Sequence, residues 1–319
     1  MIEASEARFA EALAAIWPEA ARARDWTLGL AVSGGPDSLA LLVLAAAAFP
    51  GRVEAATVDH GLRAESAAEA ALVAQVCADR NVPHATLAVT VAEGNLQAEA
   101  RAARYAALAQ WLTERGLSAL VTAHHADDQA ETLLMRLNRG SGAAGLAGVR
   151  ARAAVPGNRL PLLRPLLGFR RAELAAVVQA AGIDPVDDPS NTDDRFDRAR
   201  LRKALVQADW LDVPSLAESA THLADASAAL EWAAAREWSE CVTEAGTGIT
   251  YRPSAPRAVA LLVLARIVAR LDGEPARGSA LARLFDTLLA GRPASIGGLL
   301  ARPSLEGWNF ARAPKRRSV

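Results

Sequence analysis

The sequence predicts an α/β protein, in which a parallel sheet carries helices on both faces and a smaller, mainly helical domain follows. Three observations predict this architecture. Short apolar runs alternate with segments of helical length in the first half of the chain, a glycine-rich loop follows the first run, and long Ala-rich segments dominate the end. We expect the two domains to comprise residues 1–214 and 215–319.

The predicted sheet is built from apolar runs of strand length, separated by Ala-rich segments that are long enough for helices. Parallel strands connected in this way bind ligands at their carboxyl ends. The predicted strands are Leu28 to Val32, Val53 to Val58, His84 to Val89 and Leu117 to Ala123, and the predicted helices lie near residues 38–48, 65–80, 96–115 and 127–138.

The loop after the first strand reads Ser33-Gly34-Gly35-Pro36-Asp37-Ser38 and leads directly into a helix. Glycines lack the Cβ atoms that would keep a phosphate away from the backbone, and a helix start offers unpaired N–H groups. A Walker A loop is excluded because the chain contains no Gly-Lys pair. The pattern therefore predicts a phosphate cradle, with an ordinary glycine turn as the alternative.

Two further motifs follow in the second strand and the third predicted helix. The second strand runs into Asp59-His60-Gly61-Leu62-Arg63, where a carboxylate and an imidazole would lie among loops that converge on a ligand. A helix-capping turn is the alternative there. Arg101 and Arg104 have the i, i+3 spacing that places both on one helix face, where they can meet phosphates. A solvated helix face explains the same spacing.

The strongest cluster of polar residues is the stretch Thr122 to Thr132. Its spacing places Asp127 and Glu131 on one helix face and lets Asp128 favour the helix start. Carboxylates beside an imidazole suit a hydrated Mg²⁺ that also holds ATP phosphates, whereas zinc lacks a third nitrogen or sulfur ligand at metal spacing. A purely structural cluster is the alternative. The glycine-rich residues 138–148 that follow predict a mobile loop beside the site.

Composition and charge limit the class of protein to which the chain can belong. The net charge is −1, but residues 251–319 carry +8 and the remainder −9, which indicates a docking surface for a polyanion or, alternatively, a solvated basic face. Cys77 and Cys241 lie far apart, so we expect buried thiols and neither a disulfide framework nor a cysteine metal cluster. Because the chain has no apolar run of membrane length and no signal-peptide pattern, we expect a cytoplasmic protein without a membrane partner.

Taken in order, the motifs resemble one family. SGGxDS is the signature of the PP-loop ATP pyrophosphatase superfamily. The succession SGGPDS, VDHGLR, ARAARY, TAHHADDQAETLLMRLNRGSG, GLAG, RPLL and DDPSN resembles the short form of tRNA(Ile)-lysidine synthetase over residues 25–205. One departure is Ala199, which stands where the family commonly has Asn in an Arg-Asn-x-Ile-Arg block.

The resemblance implies a carbon–nitrogen ligase that uses ATP and Mg²⁺. The C2 carbonyl oxygen of the wobble cytidine in a CAU-anticodon isoleucine tRNA would attack the α-phosphate of ATP and release pyrophosphate. The amine of free lysine would then displace AMP and form lysidine, which changes decoding from AUG to AUA. The implied partners are this tRNA and L-lysine, and the sequence leaves open whether the protein is a monomer or a homodimer.

The motifs and the resemblance together give the expected site residues. Catalytic roles are expected for Asp37, His124, Asp127 and Glu131, with Mg²⁺ on Asp37 and Asp127. The acceptor of the lysine proton is left open among His124, Asp127 and Glu131. ATP is expected to contact Ser33, Gly34, Gly35, Pro36, Asp37, Ser38, Asp59 and Arg101. Contacts to tRNA or other phosphate are expected at Arg104, Arg198, Arg200 and Arg202.

The C-terminal part is predicted to contain long helices near residues 216–238 and 258–271 and to bind tRNA through its basic surface. Trp232 and Trp238 are expected to be core or domain-contact residues. Residues Ala311 to Val319, which include Lys315, Arg316 and Arg317, are expected to form a flexible basic tail that contacts tRNA phosphates.

Three other functions compete with this hypothesis. A PP-loop tRNA thiolase would need catalytic or cluster-binding cysteines, and neither cysteine adjoins a site motif. An amidating synthetase would need an ammonia source, but the chain shows no glutaminase domain and no N-terminal nucleophilic cysteine. A non-catalytic nucleotide- or tRNA-binding regulator would not require Asp37, Asp127 and Glu131 together.

Overall fold

The structure is a computed structural model that describes residues 2–22, 25–61, 66–90, 96–186, 197–273 and 276–313. The chain divides into two compact units, Met1–Ala224 and Asp225–Val319. Across the described ranges, no helix is both long enough and apolar enough to cross a membrane. The described residues do not include Arg63 at the end of the VDHGLR motif, the DDPSN stretch at 187–191 or the basic residues 315–317.

The first unit is built on a six-stranded sheet whose strands are β1 (Leu28–Ala31), β2 (Val53–Asp59), β3 (His84–Ala88), β4 (Ala119–Val121), β5 (Arg152–Ala154) and β6 (Pro161–Leu163). The strand order is β3-β2-β1-β4-β6-β5. All neighbouring pairs are parallel except β5 with β6. From β1 the chain continues outward through β2 and β3, and it then returns to place β4 on the other side of β1. This reversal of the strand order creates a crevice at the carboxyl ends of β1 and β4.

Helices cover both faces of this sheet, as predicted. Alternate strand residues point to opposite faces, so Leu30 of β1 belongs to one apolar core and Leu120 of β4 to another. The first core also takes residues from α1, α2, α3 and α7, and the second from α4. The helices of the unit are α1 (Ile2–Ile16), α2 (Pro36–Ala48), α3 (Ser66–Ala78), α4 (Leu96–Arg115), α5 (Ala126–Asn138), α6 (Ala143–Leu146), α7 (Arg171–Ala180) and α8 (Asp197–Gln207), with 3₁₀ turns at Pro18–Arg22 and Pro165–Gly168.

A glycine in β1 lets α4 lie close against the sheet. A Cβ atom at Gly29 would stand 2.6 Å from Cδ2 of Leu112 and 2.7 Å from the ring of Trp111. Any larger side chain there would push α4 away from the strand, which shows that close packing requires this glycine.

The glycine-rich stretch 138–148 differs from the loop predicted for it. The stretch contains the short helix α6, and two side chains of α5 form hydrogen bonds with the backbone at the end of α6 and just after the stretch. The amide of Gln129 exchanges two hydrogen bonds with the backbone of Val149, at 2.8 and 2.6 Å, and the Arg136 guanidinium donates to the Gly145 carbonyl at 2.5 Å. These bonds fasten the stretch to α5.

The second unit contains a five-stranded antiparallel sheet that was not predicted, in the order β7-β8-β11-β10-β9. Its strands are too short, and too weakly alternating, to stand out in the sequence. They are β7 (Val242–Ala245), β8 (Gly248–Tyr251), β9 (Ala294–Ile296), β10 (Leu299–Ser304) and β11 (Gly307–Arg312). The accompanying helices are α9 (Val213–Cys241), within which the division between the units falls, α10 (Arg257–Asp272) and α11 (Gly278–Leu289).

Side chains of this sheet and its helices form a separate core that includes Tyr251, Leu264 and Phe310. Trp238 packs against that core, whereas Trp232 is exposed, contrary to the expectation for it. Cys77 is buried as predicted, but Cys241 is only partly buried.

Candidate active site

A cleft of about 630 Å³ opens at the carboxyl ends of β1, β2 and β4. The glycine loop Ser33–Ser38 forms one wall, and His60 and His124, which follow β2 and β4, line it as well. This position is the crevice expected where the strand order of a parallel sheet reverses. The motifs that were selected from the sequence therefore converge on one site.

The loop is braced by its own serine hydroxyls. The backbone N–H of Ser33 donates to Oγ of Ser38 at 3.1 Å, and the Ser38 hydroxyl donates to the Gly35 carbonyl at 2.9 Å. Gly34 has φ +87°, a left-handed conformation that disfavours any side chain. Helix α2 then begins at Pro36, after an N-cap, Gly35, that provides no side-chain hydrogen bond. The first N–H groups of α2 are therefore left for a ligand.

Gly35 itself is not required by the fold. Its φ is −74°, and a Cβ atom there would meet only Oγ of Ser33, at 3.8 Å. Neither backbone strain nor crowding within the protein excludes a side chain. An anion held against this helix start is a physical reason for glycine at the position.

His125, which was not selected from the sequence, brings the carboxylates together. Its Nε2 lies 3.3 Å from Oδ2 of Asp37 and 3.5 Å from Oδ2 of Asp128, and its Nδ1 lies 3.7 Å from Oδ2 of Asp127. The ring is fully buried as the N-cap of α5. Burial lowers the pKa of His125, but its interactions with Asp37 and Asp128 outweigh burial and leave the pKa raised. The imidazole thus offsets the mutual repulsion of the acids.

Asp37 has one carboxylate oxygen to offer to a ligand. Its Oδ1 is buried and has no hydrogen-bond partner among the described residues. Burial raises the pKa of Asp37, whereas His125 and Arg171 lower it by more, so the group stays ionised at neutral pH. A buried anionic oxygen without a partner is costly, and a cation or a donor group from a ligand would satisfy it.

Asp127 is already engaged by protein groups. Its carboxylate accepts two hydrogen bonds from the Arg170 guanidinium, at 3.1 and 3.2 Å, and one from the Arg171 backbone N–H at 2.8 Å. Burial raises the pKa of Asp127, but these hydrogen bonds outweigh it and the pKa is lowered. Arg171 also lies 3.6 Å from Asp37, so the start of α7 connects the two carboxylates.

Asp37 suits a magnesium ion that brings other ligands with it. The expectation that Asp127 also holds this ion stays a prediction, because Asp127 is bound by arginines and is not among the residues that line the cleft. No group of three or more His, Cys, Asp or Glu side chains in the described ranges is arranged to hold a metal alone. Mg²⁺ commonly takes only one or two carboxylates and completes its shell with waters and phosphate oxygens. The unpartnered Oδ1 of Asp37 is the oxygen best placed for such a role.

His124 lines the cleft, with Nδ1 3.0 Å from Oγ1 of Thr122. Burial is the main reason that the pKa of His124 is lowered to about 4, with Arg164, Arg198 and Arg101 adding to the effect and Asp128 opposing it. The imidazole is therefore neutral at neutral pH, and a neutral imidazole can accept a proton.

Glu131 faces arginines instead of the cleft. It is 1% exposed, and it accepts hydrogen bonds from Nε of Arg198 at 2.7 Å and from Nε of Arg202 at 2.8 Å. Arg198 also lies 3.3 Å from Asp128. Both arginines line the cleft, so Glu131 holds α8 against α5 and aims two guanidinium groups at the site.

The cleft brings together most of the residues selected from the sequence, but not all of them. Gly34, Asp59, Arg101, Asp127, Glu131 and Arg200 are not among the residues that line it. Asp59 accepts the Gly61 N–H within its turn, Arg101 stacks on Tyr105, and Arg200 pairs with Asp197 on the outer side of α8. Their expected contacts to ATP or tRNA stay predictions.

Arg164 interacts with Tyr105, which lines the cleft, and forms with it a buried polar pair that the sequence did not reveal. Arg164 is 6% exposed and donates to the Arg150 carbonyl at 2.6 Å, and burial lowers its pKa. Within the described part of the chain, Nε of Arg164 and the hydroxyl of Tyr105 have no well-aligned partner. Arg164 begins the RPLL motif, which is the one sequence signal that pointed to it.

Comparisons with known proteins agree with this geometry. A family model described as a PP-loop domain matches residues 3–209. The tRNA(Ile)-lysidine synthase of Novosphingobium aromaticivorans is 52% identical over 293 residues, which cover 91% of this chain and 90% of the relative. That of Zymomonas mobilis is 43% identical over 299 residues, covering 92% and 90%. A U34-tRNA thiolase structure from Methanococcus maripaludis has a TM-score of 0.55 at 14% identity, covering 69% of this chain and 76% of that one, which shows a shared fold alone.

Proposed function

Because the chain belongs to the PP-loop family and, within it, to the tRNA(Ile)-lysidine synthases, we propose that its cleft binds ATP and adenylates a cytidine of isoleucine tRNA. The uncapped start of α2 and the open space at Gly35 carry this proposal. The N–H groups of the glycine loop would hold the pyrophosphate part of ATP as it leaves.

In the first step, the C2 carbonyl oxygen of the wobble cytidine forms a bond to the α-phosphorus of ATP. The bond from that phosphorus to the β-phosphate bridging oxygen breaks, and pyrophosphate departs. Arg171, Arg198 and Arg202 line the cleft, and their guanidinium groups suit the negative charge that develops on the phosphates. Arg104 also lines it and would add a fourth cation.

Asp37 and Asp127 would hold Mg²⁺ when it is bound, and the ion would supply charge neutralisation at the phosphate oxygens. The chain prepares for that ion in two ways. Asp37 keeps one oxygen unpartnered, and His125 holds Asp37 and Asp127 on either side of its ring.

In the second step, the lysine amine forms a bond to C2 and the bond from C2 to the AMP oxygen breaks. The amine must first lose its proton, because its ammonium form has an ordinary pKa near 10.4. We propose His124 as the group that takes up this proton, since it is neutral and lines the cleft. The negative phosphate that joins AMP to the cytidine in this step would raise the pKa of His124 from the low value that burial gives it. Asp127 and Glu131 are held by arginines and are less suited to this role.

The second unit is proposed to bind the tRNA outside the reacting base, together with the basic residues that end the chain. Discrimination against a methionine tRNA with the same anticodon must depend on features away from that anticodon. A tRNA substrate implies a cytoplasmic enzyme.

The competing hypothesis of a thiolase is disfavoured by the cysteines. Burial raises the pKa of Cys77 to about 12, so this thiol is not poised to act as a nucleophile. Cys77 belongs to the apolar core and Cys241 to the second unit, and neither lines the cleft. The similarity to the thiolase structure therefore concerns the fold and not the chemistry.

The test is incorporation of radiolabelled lysine into an isoleucine tRNA transcript that carries the CAU anticodon, with ATP and Mg²⁺ present. We expect label on this transcript alone and none without ATP, with methionine tRNA as the control. AMP formed in a tRNA-dependent way without lysine incorporation would retain the adenylating site and reject lysine as the nucleophile. No tRNA-dependent AMP would reject the adenylating site too.

A further inference from the structure

The segment 168–171, which leads into α7, connects two parts of the candidate active site. The carbonyl of Phe169 accepts the backbone N–H of Ala126, the first residue of α5, at 2.9 Å. Two residues further on, the Arg171 guanidinium lies 3.6 Å from Oδ2 of Asp37, and both of these residues line the cleft. The position of this segment therefore affects where α5 begins and where the Arg171 side chain meets Asp37.

Arg8 of α1 contacts this segment and the helix that follows it. Its guanidinium lies over the ring of Phe169, 4.1 Å from the ring centroid, and donates a hydrogen bond to the Gly168 carbonyl. It also donates to Oε1 of Glu173 in α7, at 2.6 Å. Because a planar guanidinium can stack on a ring and still donate to acceptors at its edge, one side chain makes all three contacts. Arg8 therefore ties α1 to the segment and to α7.

Glu173 carries the contact with Arg8 to the start of α7. Its second carboxylate oxygen, Oε2, accepts the backbone N–H of Arg170 at 2.7 Å and so satisfies a donor at the helix start. One oxygen of Glu173 thus binds Arg8 while the other caps the helix. Arg8 therefore holds the Glu173 carboxylate in the orientation that caps α7, and the first turn of α7 contains Arg171.

Helix α1 is anchored in the apolar core beside Arg8. Phe9 and Leu13 are buried in the same core as Phe169, and the ring of Phe9 also lies against that of Phe49, with 6.1 Å between the ring centroids. Arg8 itself is about half exposed, and it is not among the residues that line the cleft. Its effect on the cleft therefore passes through the groups that it holds.

We propose that Arg8 is a positioning residue for adenylation, which fixes the segment 168–171 and thereby the placement of Arg171 beside Asp37. This inference rests on the proposed function, in which Arg171 and Asp37 meet the phosphates of ATP and their Mg²⁺. A small displacement of such groups slows a reaction even when the substrates still bind. Arg8 precedes the first sequence motif, which begins at Ser33, so no motif pointed to this role.

The first test compares Arg8→Ala, Arg8→Lys and Arg152→Ala in tRNA-dependent exchange between ATP and pyrophosphate. Arg152 is the matched control, because it forms a similarly exposed ion pair between Glu19 and β5. We expect Arg8→Ala to lower kcat about tenfold and to change the KM for tRNA by less than about twofold. Arg8→Lys keeps the cation without the planar group and should recover part of the loss.

The control separates positioning from a general loss of stability. Each alanine variant removes one exposed ion pair, so the two should lose similar and small amounts of stability in thermal unfolding. Only Arg8→Ala should lose kcat. An unchanged kcat in Arg8→Ala, an equal fall in Arg152→Ala, or no recovery in Arg8→Lys would overturn the proposal.

The second test measures amide hydrogen exchange in the full chain without ATP or tRNA. The N–H groups of Ala126 and Arg171 bond to the Phe169 carbonyl and to Asp127. We expect Arg8→Ala to speed exchange at both amides about tenfold and to leave exchange in β1 unchanged. Unchanged exchange at both amides would refute the proposal. Because this test needs no turnover, its failure is distinct from failure of the proposed function, which would appear as absent activity in the wild-type protein.

Discussion

Asp37 and Asp127 were expected to act alike, and their hydrogen bonds separate them. Asp37 keeps a free oxygen, whereas Asp127 is bound by Arg170 and Arg171. A carboxylate with protein partners contributes to stability as well as to chemistry. Protein hydrogen bonds thus occupy the Asp127 carboxylate, whereas Asp37 contacts His125 and Arg171 through Oδ2 and keeps Oδ1 for a ligand.

Both Asp37→Asn and Asp127→Asn should abolish tRNA-dependent exchange between ATP and pyrophosphate. Asp127→Asn should also lower the free energy of unfolding, by about 1–3 kcal/mol and by more than Asp37→Asn, because it loses charge-assisted bonds to Arg170 whereas Asp37 makes longer contacts to His125 and Arg171. Urea unfolding measures the difference. Arg170→Gln is the control that removes the ion pair and keeps the carboxylate, and it should lose stability while retaining some exchange. Equal stabilities of the two Asn variants would contradict the distinction.

The two glycines of the loop should also respond differently. Gly34→Ala forces a side chain into left-handed backbone and should cost about 1–2 kcal/mol of stability. Gly35→Ala should leave stability within about 0.5 kcal/mol of wild type, yet weaken ATP binding because its methyl group occupies space for a phosphate. Calorimetric titration with ATP is the measurement. Normal ATP affinity in Gly35→Ala would mean that the phosphates lie elsewhere.

The lowered pKa of His124 predicts how the free energy of unfolding depends on pH. The ordinary pKa of histidine is 6.5, and that of folded His124 is about 4, mainly because of burial. Between these values the unfolded chain binds a proton that the folded chain does not, so the free energy of unfolding should fall as the pH is lowered from about 6.5 to about 4. Denaturant titrations at several pH values should show a smaller fall for His124→Gln. Parallel curves for the two proteins would show that His124 titrates normally.

At the scale of elements, the site depends on how α8 is fastened to α5. The buried Glu131 binds arginines one turn apart on α8, and Ala199 between them is small enough to be buried in the contact. The contact of this arginine block with α5 is therefore made by the Glu131 carboxylate and the small side chain of Ala199. It does not use the amide that the family commonly has at position 199.

Glu131→Gln should loosen this contact, because two arginines lose the anion that holds them. We expect a loss of about 3 kcal/mol in unfolding free energy, together with faster hydrogen exchange in α8 and unchanged exchange in α2. Glu19→Gln, which breaks an exposed ion pair with Arg152, is the matched control and should cost much less. If the two substitutions have equal effects, Glu131 does not hold α8 in place.

At the scale of the whole molecule, the chain combines an acidic first part with a basic end. The second unit has its own apolar core and its own sheet. In it, the buried Glu237 accepts hydrogen bonds from the backbone N–H groups of Ser254 and Ala255 and from the Tyr251 hydroxyl.

Reversing the charge of Lys315, Arg316 and Arg317 to Glu should weaken tRNA binding and flatten its dependence on salt. Each phosphate contact contributes about 0.9 to the slope of log affinity against log salt, so the slope should decrease by up to about 3. Filter binding at several salt concentrations measures it. ATP binding should not change and serves as the control. An unaltered slope would show that these residues make no phosphate contact.

The sequence by itself determined the parallel sheet, the glycine loop after its first strand and the family to which the chain belongs. These features are local: strand and helix lengths, turn residues and ordered motifs are all written along the chain. His124 and Asp37 both line the cleft, because the loop after β4 and the start of α2 lie at the carboxyl ends of buried strands. Their expected catalytic roles stay predictions.

Only the tertiary structure decided which charges meet. Arg170 reaches Asp127 from 43 residues away, and Arg198 reaches Glu131 from 67 residues away. His124 and His125 are neighbours, yet one ring lines the cleft and the other is buried among carboxylates. Spacing along a chain cannot show this, because the direction of a side chain and the partner it finds depend on elements that packing brings together.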